Sequence, residues 1–166
     1  MTSDDTPGAF TALVLAASRG PDDPVAKSEG VSHKALVDVA GTPMLLRVVR
    51  ALSASQSVGQ IAVGIGNSEI LDTLAIDGDA LTSVPIGDSP GASVLSGVAA
   101  LGTPYPLLVT TGDHALLTPE MVDRFCEDAL ATGADVVAGL AGANVILKDH
   151  PNTRRTFLKF RDGRYS

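Results

Sequence analysis

Arg19, Lys34 and Asp113 are the charged side chains whose surroundings best suit them to act on a ligand. Leu13-Val14-Leu15-Ala16-Ala17 is an apolar run that breaks into Ser18-Arg19-Gly20 and a long polar loop. The chain recovers at His33-Lys34-Ala35-Leu36, and Gly41-Thr42-Pro43 then opens a helix. A buried strand ending in small residues can turn backbone N–H groups towards phosphate oxygens, because no bulky side chain blocks the approach. Arg19 and Lys34 supply the positive charge needed where negative charge builds in a phosphoryl transition state. Taken alone, a solvated surface loop accounts for the same residues equally well.

A second apolar run, Leu107-Leu108-Val109-Thr110-Thr111, ends in Gly112-Asp113. A carboxylate delivered there can hold Mg²⁺ (or Mn²⁺) against nucleotide phosphates. It can equally cap the following turn. His114 reads as a neighbour of such a site, since one His beside one Asp is a poor metal-binding set. Ser89 and Ser93 in Gly87-Asp88-Ser89-Pro90-Gly91-Ala92-Ser93, and Gly66-Asn67, are candidates for base or ribose contacts. Helix capping and turn formation explain them just as well. Arg154-Arg155 could meet an acceptor phosphate or form a solvated turn.

The elements that must carry these residues follow from the hydrophobic pattern. Phe10–Ala17 reads as a strand buried on both faces, as in a parallel sheet covered by helices. Ser18–Ser32 reads as a loop, and loops of that length in compact domains are commonly functional. Ala35–Val39 reads as a short extended piece. Thr42 as N-cap and Pro43 at the first helical position start a helix with Leu45, Val48, Val49 and Leu52 inward and Arg47, Arg50 and Ser53 on the other side. Further strands are predicted at Ile61–Ile65, Ser83–Ile86 (an edge strand, because Pro85 cannot donate to a ladder), Leu107–Thr111 and Asp135–Leu140. Helices are predicted after Asn67-Ser68-Glu69, from Ser89 to Gly102, and from Thr118-Pro119 to Gly133 with Val122, Phe125, Cys126, Ala129 and Leu130 inward. The segment 143–152 fits more than one state. Near the end, Asp162-Gly163 between alternating arms is a two-residue hairpin signal. Alternating strands and helices give an α/β, three-layer, doubly wound, mostly parallel sheet, with ligands beyond the carboxyl ends of the strands.

Composition excludes several classes. The chain has 166 residues, is 45% hydrophobic and only 4% aromatic, so its core is built from Ala, Val, Leu and Ile. A net charge of −7 argues against a nucleic-acid backbone or an anionic membrane as the main partner, but not against a single nucleotide. The single cysteine, Cys126, gives no internal disulfide framework and fits a reducing compartment. No run reaches the ~20 apolar residues of a membrane span, and the acidic N-terminus lacks a basic leader region, so a cytoplasmic protein is expected. Residues 1–9 read as a polar, flexible N-terminus and 10–166 as one domain.

The first motif set resembles the nucleotidyltransferases of the GT-A-like fold. Relatives include molybdenum-cofactor guanylyltransferases, methylerythritol-phosphate cytidylyltransferases and sugar-phosphate uridylyl- and thymidylyltransferases. Their signature reads L-A-A-G-x-G-x-R-M, a variable gap, P-K-x-L, and then G-x-P-L/M-L. Here it reads Leu15-Ala16-Ala17-Ser18-Arg19-Gly20-Pro21-Asp22-Asp23, a gap, His33-Lys34-Ala35-Leu36, and Gly41-Thr42-Pro43-Met44-Leu45. Three positions depart from it. Ser18 stands for the first glycine, Asp22 for the phosphate-gripping arginine, and His33 for the proline before the lysine. Arg19 or Lys27 is the candidate replacement for that arginine. Lys34 rather than Lys27 matches the signature lysine, because Ser28-Glu29 follows Lys27 where x-Leu is required.

The resemblance covers Phe10 to about Leu140 and implies a Rossmann-like, GT-A type nucleotide-diphospho-sugar transferase fold. It implies a metal-dependent enzyme that moves a nucleoside monophosphate from a nucleoside triphosphate to a small phosphorylated acceptor and releases pyrophosphate. Arg19 and Lys34 take the catalytic roles, and Asp113 takes Mg²⁺ or Mn²⁺. Leu15, Ala16, Ala17, Ser18, Arg19, Gly20, Lys34, Gly66, Asn67, Ser89 and Ser93 contact nucleotide. Members of the family usually continue past the equivalent of Ser166, so the chain reads as incomplete at its C-terminus; a homo-oligomer is compatible with the pattern. Two other classes stay open. A nucleotide-sugar glycosyltransferase would normally carry a D-x-D metal motif, and Thr111-Gly112-Asp113 lacks its first carboxylate. A non-catalytic nucleotide-binding module fits the altered glycine-rich loop.

Overall fold

The computed structural model describes residues 10–17, 22–74 and 81–166. They divide into two compact units, Met1–Glu127 and Asp128–Ser166.

The first unit is built on a four-stranded sheet in the order β3-β2-β1-β4. Its strands are β1 (Phe10–Leu15), β2 (Val58–Gly64), β3 (Thr82–Val84) and β4 (Leu107–Thr111). Every pairing is parallel: β1 with β2 from Phe10↔Val58 to Leu15↔Gly64, β1 with β4 from Thr11↔Leu107 to Leu15↔Thr111, and β2 with β3 from Ala62↔Thr82 to Gly64↔Val84. β1 sits between β2 and β4 and sends side chains into both covering layers. Phe10, Ala12, Val14 and Ala16 join the larger core with Leu45, Val48, Val49 and Leu52, which lie on α2 (Met44–Ser53). Leu13 faces the other way, against Ala62, Val84 and α4 (Pro90–Leu101). The sheet is thus covered on both faces, which is why β1 reads as a continuous apolar run.

α4 lies close to the sheet because its inward residues are small. Ser93 and Gly97 are its buried positions, and a Cβ on Gly97 would stand 2.8 Å from Leu13 Cδ2. Ser89 caps its start by accepting the Ala92 N–H, and Gly102 ends it in the left-handed region at φ 73°.

Four expectations change. The loop after β1 contains a helix, α1 (Pro24–Ser28), capped by buried Asp23, whose Oδ1 accepts the Val25 and Ala26 N–H groups. Residues 34–36 form a 3-10 turn, not an extended piece. α2 starts one residue late, with Pro43 as its cap and no side-chain capping bond. The Thr42 carbonyl is already engaged by the Val39 N–H in the tight turn before it. Arg47, expected on the solvent side, is half-buried and ties two loops, donating to the Ala115 and Val39 carbonyls. α3 (Glu69–Thr73) and edge strand β3 stand where the pattern puts them.

α5 (Pro119–Thr132) buries Val122 and Cys126, with Phe125 packed beside them, while Leu130, expected inward, is 55% exposed. The predicted strand at 135–140 does not form. Those residues are irregular and Val136 is 86% exposed. An apolar run becomes a strand only when a neighbour takes its backbone N–H and C=O groups, and in the sheet of the described residues β4 pairs with β1 alone.

The second unit contains α6 (Ala143–Asp149) and a hairpin of β5 (Leu158–Lys159) and β6 (Arg164–Tyr165). The hairpin pairs Leu158↔Tyr165 and Lys159↔Arg164. Its turn falls one residue earlier than Asp162-Gly163 suggests, because the Phe160 N–H donates to the Gly163 carbonyl and leaves Arg161-Asp162 at the tip. Ala141 and Ser166 exchange backbone bonds, and Phe160 meets Tyr165 edge to face. No helix among the described residues is long and apolar enough to cross a membrane.

Candidate functional site

The strand order reverses between β1 and β4, and in open parallel sheets a crevice forms beyond the carboxyl ends at such a switch point. A cleft of about 460 Å³ lies there, within the roughly 300–1,000 Å³ of small-molecule sites. Four segments wall it: Leu15–Ala17 after β1, His33–Ala35, Ile86–Pro90 with Ser93 at the start of α4, and Thr111–Asp113 after β4.

Lys34 and Asp113, far apart in sequence, meet across this cleft at 2.5 Å. Lys34 opens the 3-10 turn, and the N–H of the next residue, Ala35, donates to His33 Nδ1 at 3.1 Å. Asp113 is carried by the turn after β4. That turn is fixed to β1 by the Gly112 N–H donating to the Leu15 carbonyl at 2.9 Å. The Thr111 hydroxyl donates to Asp113 Oδ1 at 2.7 Å. Gly112 leaves little room for a side chain, since a Cβ would lie 3.2 Å from that of Ala16. The hydrogen bond from Lys34, and then that from Thr111, hold the Asp113 carboxyl below the usual carboxylate range. Burial lowers the His33 imidazole, and the Asp23 carboxylate opposes this more weakly.

The β3–α4 wall is shaped by Ser93, which is buried. Its hydroxyl accepts the Gly87 N–H at 3.0 Å and sits 3.3 Å from the Gly87 carbonyl, folding residues 87–93 back onto the helix start. Gly87 has no space for a Cβ, which would fall 2.8 Å from the backbone carbon of Ala92.

Of the residues singled out from the sequence, Leu15, Ala16, Ala17, Lys34, Ser89, Ser93 and Asp113 line the cleft. Gly66 and Asn67 are not among its lining residues. Asn67 Oδ1 accepts the Glu69 N–H at the start of α3, and Gly66 leaves room for Ile86, whose Cδ1 would be 3.3 Å from a Cβ there. Ser18, Arg19 and Gly20 lie outside the described residues. Lys27 is paired with Asp22 at 2.6 Å, both side chains open to solvent, and is not a lining residue.

Thr111 escaped the sequence reading, although its spacing two residues before Asp113 at a strand end is a usable signal. Ile86 and Met44, which also line the cleft, carry no local signal: apolar residues beside Pro85 or at a helix start look like ordinary packing. Among the described residues no group of three or more His, Cys, Asp or Glu side chains could hold a metal by itself. One carboxylate with a hydroxyl beside it suits a hard cation that takes its other ligands from substrate phosphates and water, the usual habit of Mg²⁺.

The chain resembles known proteins over the same region. A family model described as the MobA-like NTP transferase domain matches residues 12–151. The 2-C-methyl-D-erythritol 4-phosphate cytidylyltransferase of Streptomyces coelicolor is 34% identical over 140 residues, covering 80% of this chain and 50% of the relative. The bifunctional protein GlmU of Rhodospirillum rubrum is 30% identical over 136 residues, covering 80% of this chain and 29% of the relative. The chain therefore spans half or less of the length of these curated relatives. A solved transferase structure from Thermus thermophilus superposes with a TM-score of 0.63 at 26% identity, over 95% of this chain and 62% of the other. The signature around Lys34, the switch-point cleft and the matched span agree: the chain belongs to the family of the MobA-like NTP transferase domain.

Proposed function

We propose that the cleft binds a nucleoside triphosphate and transfers its nucleoside monophosphate to a phosphorylated acceptor. The observation that carries the reading is the meeting of Lys34 and Asp113 at the topological switch point. An ammonium and a carboxylate side by side can divide a metal–polyphosphate complex between them, the carboxylate taking the cation and the ammonium the phosphate oxygens.

An acceptor phosphate oxygen attacks the α-phosphorus, the bond from that phosphorus to the α–β bridging oxygen breaks, and pyrophosphate leaves. Lys34 and Arg19 bind the triphosphate and balance charge as it develops. The backbone of Ser18–Gly20 cradles phosphate, and Ser89 and Ser93 shape the nucleoside end. Asp113, with the Thr111 hydroxyl beside it, would hold Mg²⁺ or Mn²⁺, which neutralises phosphate charge when bound. Catalysis of this kind is positioning and electrostatics, without a covalent enzyme intermediate.

The test is a panel of the four common nucleoside triphosphates, each with and without Mg²⁺, read by thermal shift and by pyrophosphate release once an acceptor is supplied. One nucleotide is expected to raise Tm by several degrees in a metal-dependent way. No shift with any of the four would remove the reading. Stabilisation with no pyrophosphate released across sugar-phosphate and polyol-phosphate acceptors would leave a nucleotide-binding module instead.

A further inference from the structure

His33 stands where the signature has proline, and its two ring nitrogens have different surroundings. Nδ1 accepts the Ala35 N–H at 3.1 Å, so it carries no proton, and a neutral imidazole so fixed bears its proton on Nε2. Among the described residues the imidazole makes no hydrogen bond besides that at Nδ1, the Asp23 carboxylate acts on it only through its charge, and His33 lines the same cleft as Lys34 and Asp113. A cap alone does not need an imidazole, since Ser, Asp or Asn caps a turn at least as well with a side chain that does not reach as far as Nε2.

We propose that His33 is a second polyphosphate-binding residue, its Nδ1 fixing the turn that presents Lys34 and its Nε2–H donating to an anionic oxygen of the bound nucleotide. This rests on the nucleotide reading of the cleft. Burial opposes a charged imidazole and so keeps the neutral donor form near pH 7, and protonation at Nδ1 would break the Ala35 bond. A proline at this position offers neither nitrogen. The family position is thereby converted from a rigid backbone element into a side chain with two functions.

The test separates cap from donor in the full chain. His33→Asn puts an amide oxygen where Nδ1 stands and ends in an Nδ2 amide that stops short of the place Nε2 reaches, so the cap is kept and the donor at the Nε2 position is lost. Calorimetry with Mg²⁺ and the nucleotide giving the largest thermal shift is expected to show affinity reduced roughly tenfold in His33→Asn, as a bond to a charged acceptor requires, with Tm unchanged. His33→Ala is expected to lose at least as much affinity and to lower Tm. Nitrogen-15 spectra of the histidine-labelled parent are expected to give an unprotonated Nδ1 and a protonated Nε2, with the Nε2 resonance moving when nucleotide is added. An unaltered affinity in His33→Asn, or a proton on Nδ1, would overturn the proposal while leaving the nucleotide reading intact. A parent protein that binds none of the four nucleotides would end both.

Discussion

Lys34 and Asp113 are partly exposed, with side-chain accessibilities of 29% and 46%, so their attraction is screened and contributes little to folding, about 0–1 kcal/mol for such pairs. In the proposed reaction their role is towards the ligand. Lys34→Ala should therefore leave Tm within a degree or two of the parent while reducing kcat/KM by on the order of 100-fold or more, the range for removing a positioned donor from developing charge. Steady-state pyrophosphate release beside a melting curve checks both halves. An unchanged rate would take Lys34 out of the reaction. Part of this cleft was legible in the sequence, because Asp113 follows an apolar run and Lys34 falls on the signature lysine. Their hydrogen-bonded neighbours were harder to read. Thr111 has the type of any strand residue, and nothing in the string His33-Lys34-Ala35 reveals that the imidazole turns back onto its own backbone.

At the scale of elements, the cleft depends on loops held by glycine and by caps. Gly87→Ala is expected to disrupt the β3–α4 wall. The new methyl would meet backbone of Ala92, which cannot rotate away as a flexible side chain can, and the Ser93 bond to the Gly87 N–H would be pulled out of line. Strain of this kind typically costs about 1–3 kcal/mol, so a drop of several degrees in Tm and weaker nucleotide binding should appear together. Unchanged values of both would mean that the wall is soft. Elements with strong local chemistry were the readable ones: β1, β4, and α4 between its Ser89 cap and Gly102. α1 was hidden although its start is conventional, an Asp cap followed by Pro, because the Gly, Pro and Asp residues around it read as loop. Asp135–Leu140 shows the opposite failure. Its composition suits a strand, but composition cannot supply the neighbouring backbone that a strand requires.

Across the whole molecule, stability should be graded from the middle of the sheet outwards. β1 is paired on both sides and its Ala12, Leu13 and Val14 are fully buried, whereas β3 is a three-residue edge strand and the β5–β6 hairpin has two residues in each arm. Hydrogen exchange should find the Ala12–Leu15 amides slowest and those of residues 82–84 and 158–165 orders of magnitude faster. Equal protection across these segments would contradict that grading. The α/β class and the parallel sheet were readable because they follow from periodicity summed over many residues. The division at Glu127–Asp128 was not, because α5 runs through it without any break in helical pattern.

The contact between Gly97 and Leu13 sets the shape of the cleft from outside its lining. α4 presents Ser89, Pro90 and Ser93 to the cleft, and two turns later the same rod is held against β1 by the absence of a single methyl group. A descendant that exchanged bulk between positions 13 and 97 would tilt or lift the rod and so widen or narrow the cleft. It would do so without altering any residue that lines the cleft. The shape of the cleft can thus be changed by substitutions that a comparison of its lining residues alone would score as silent.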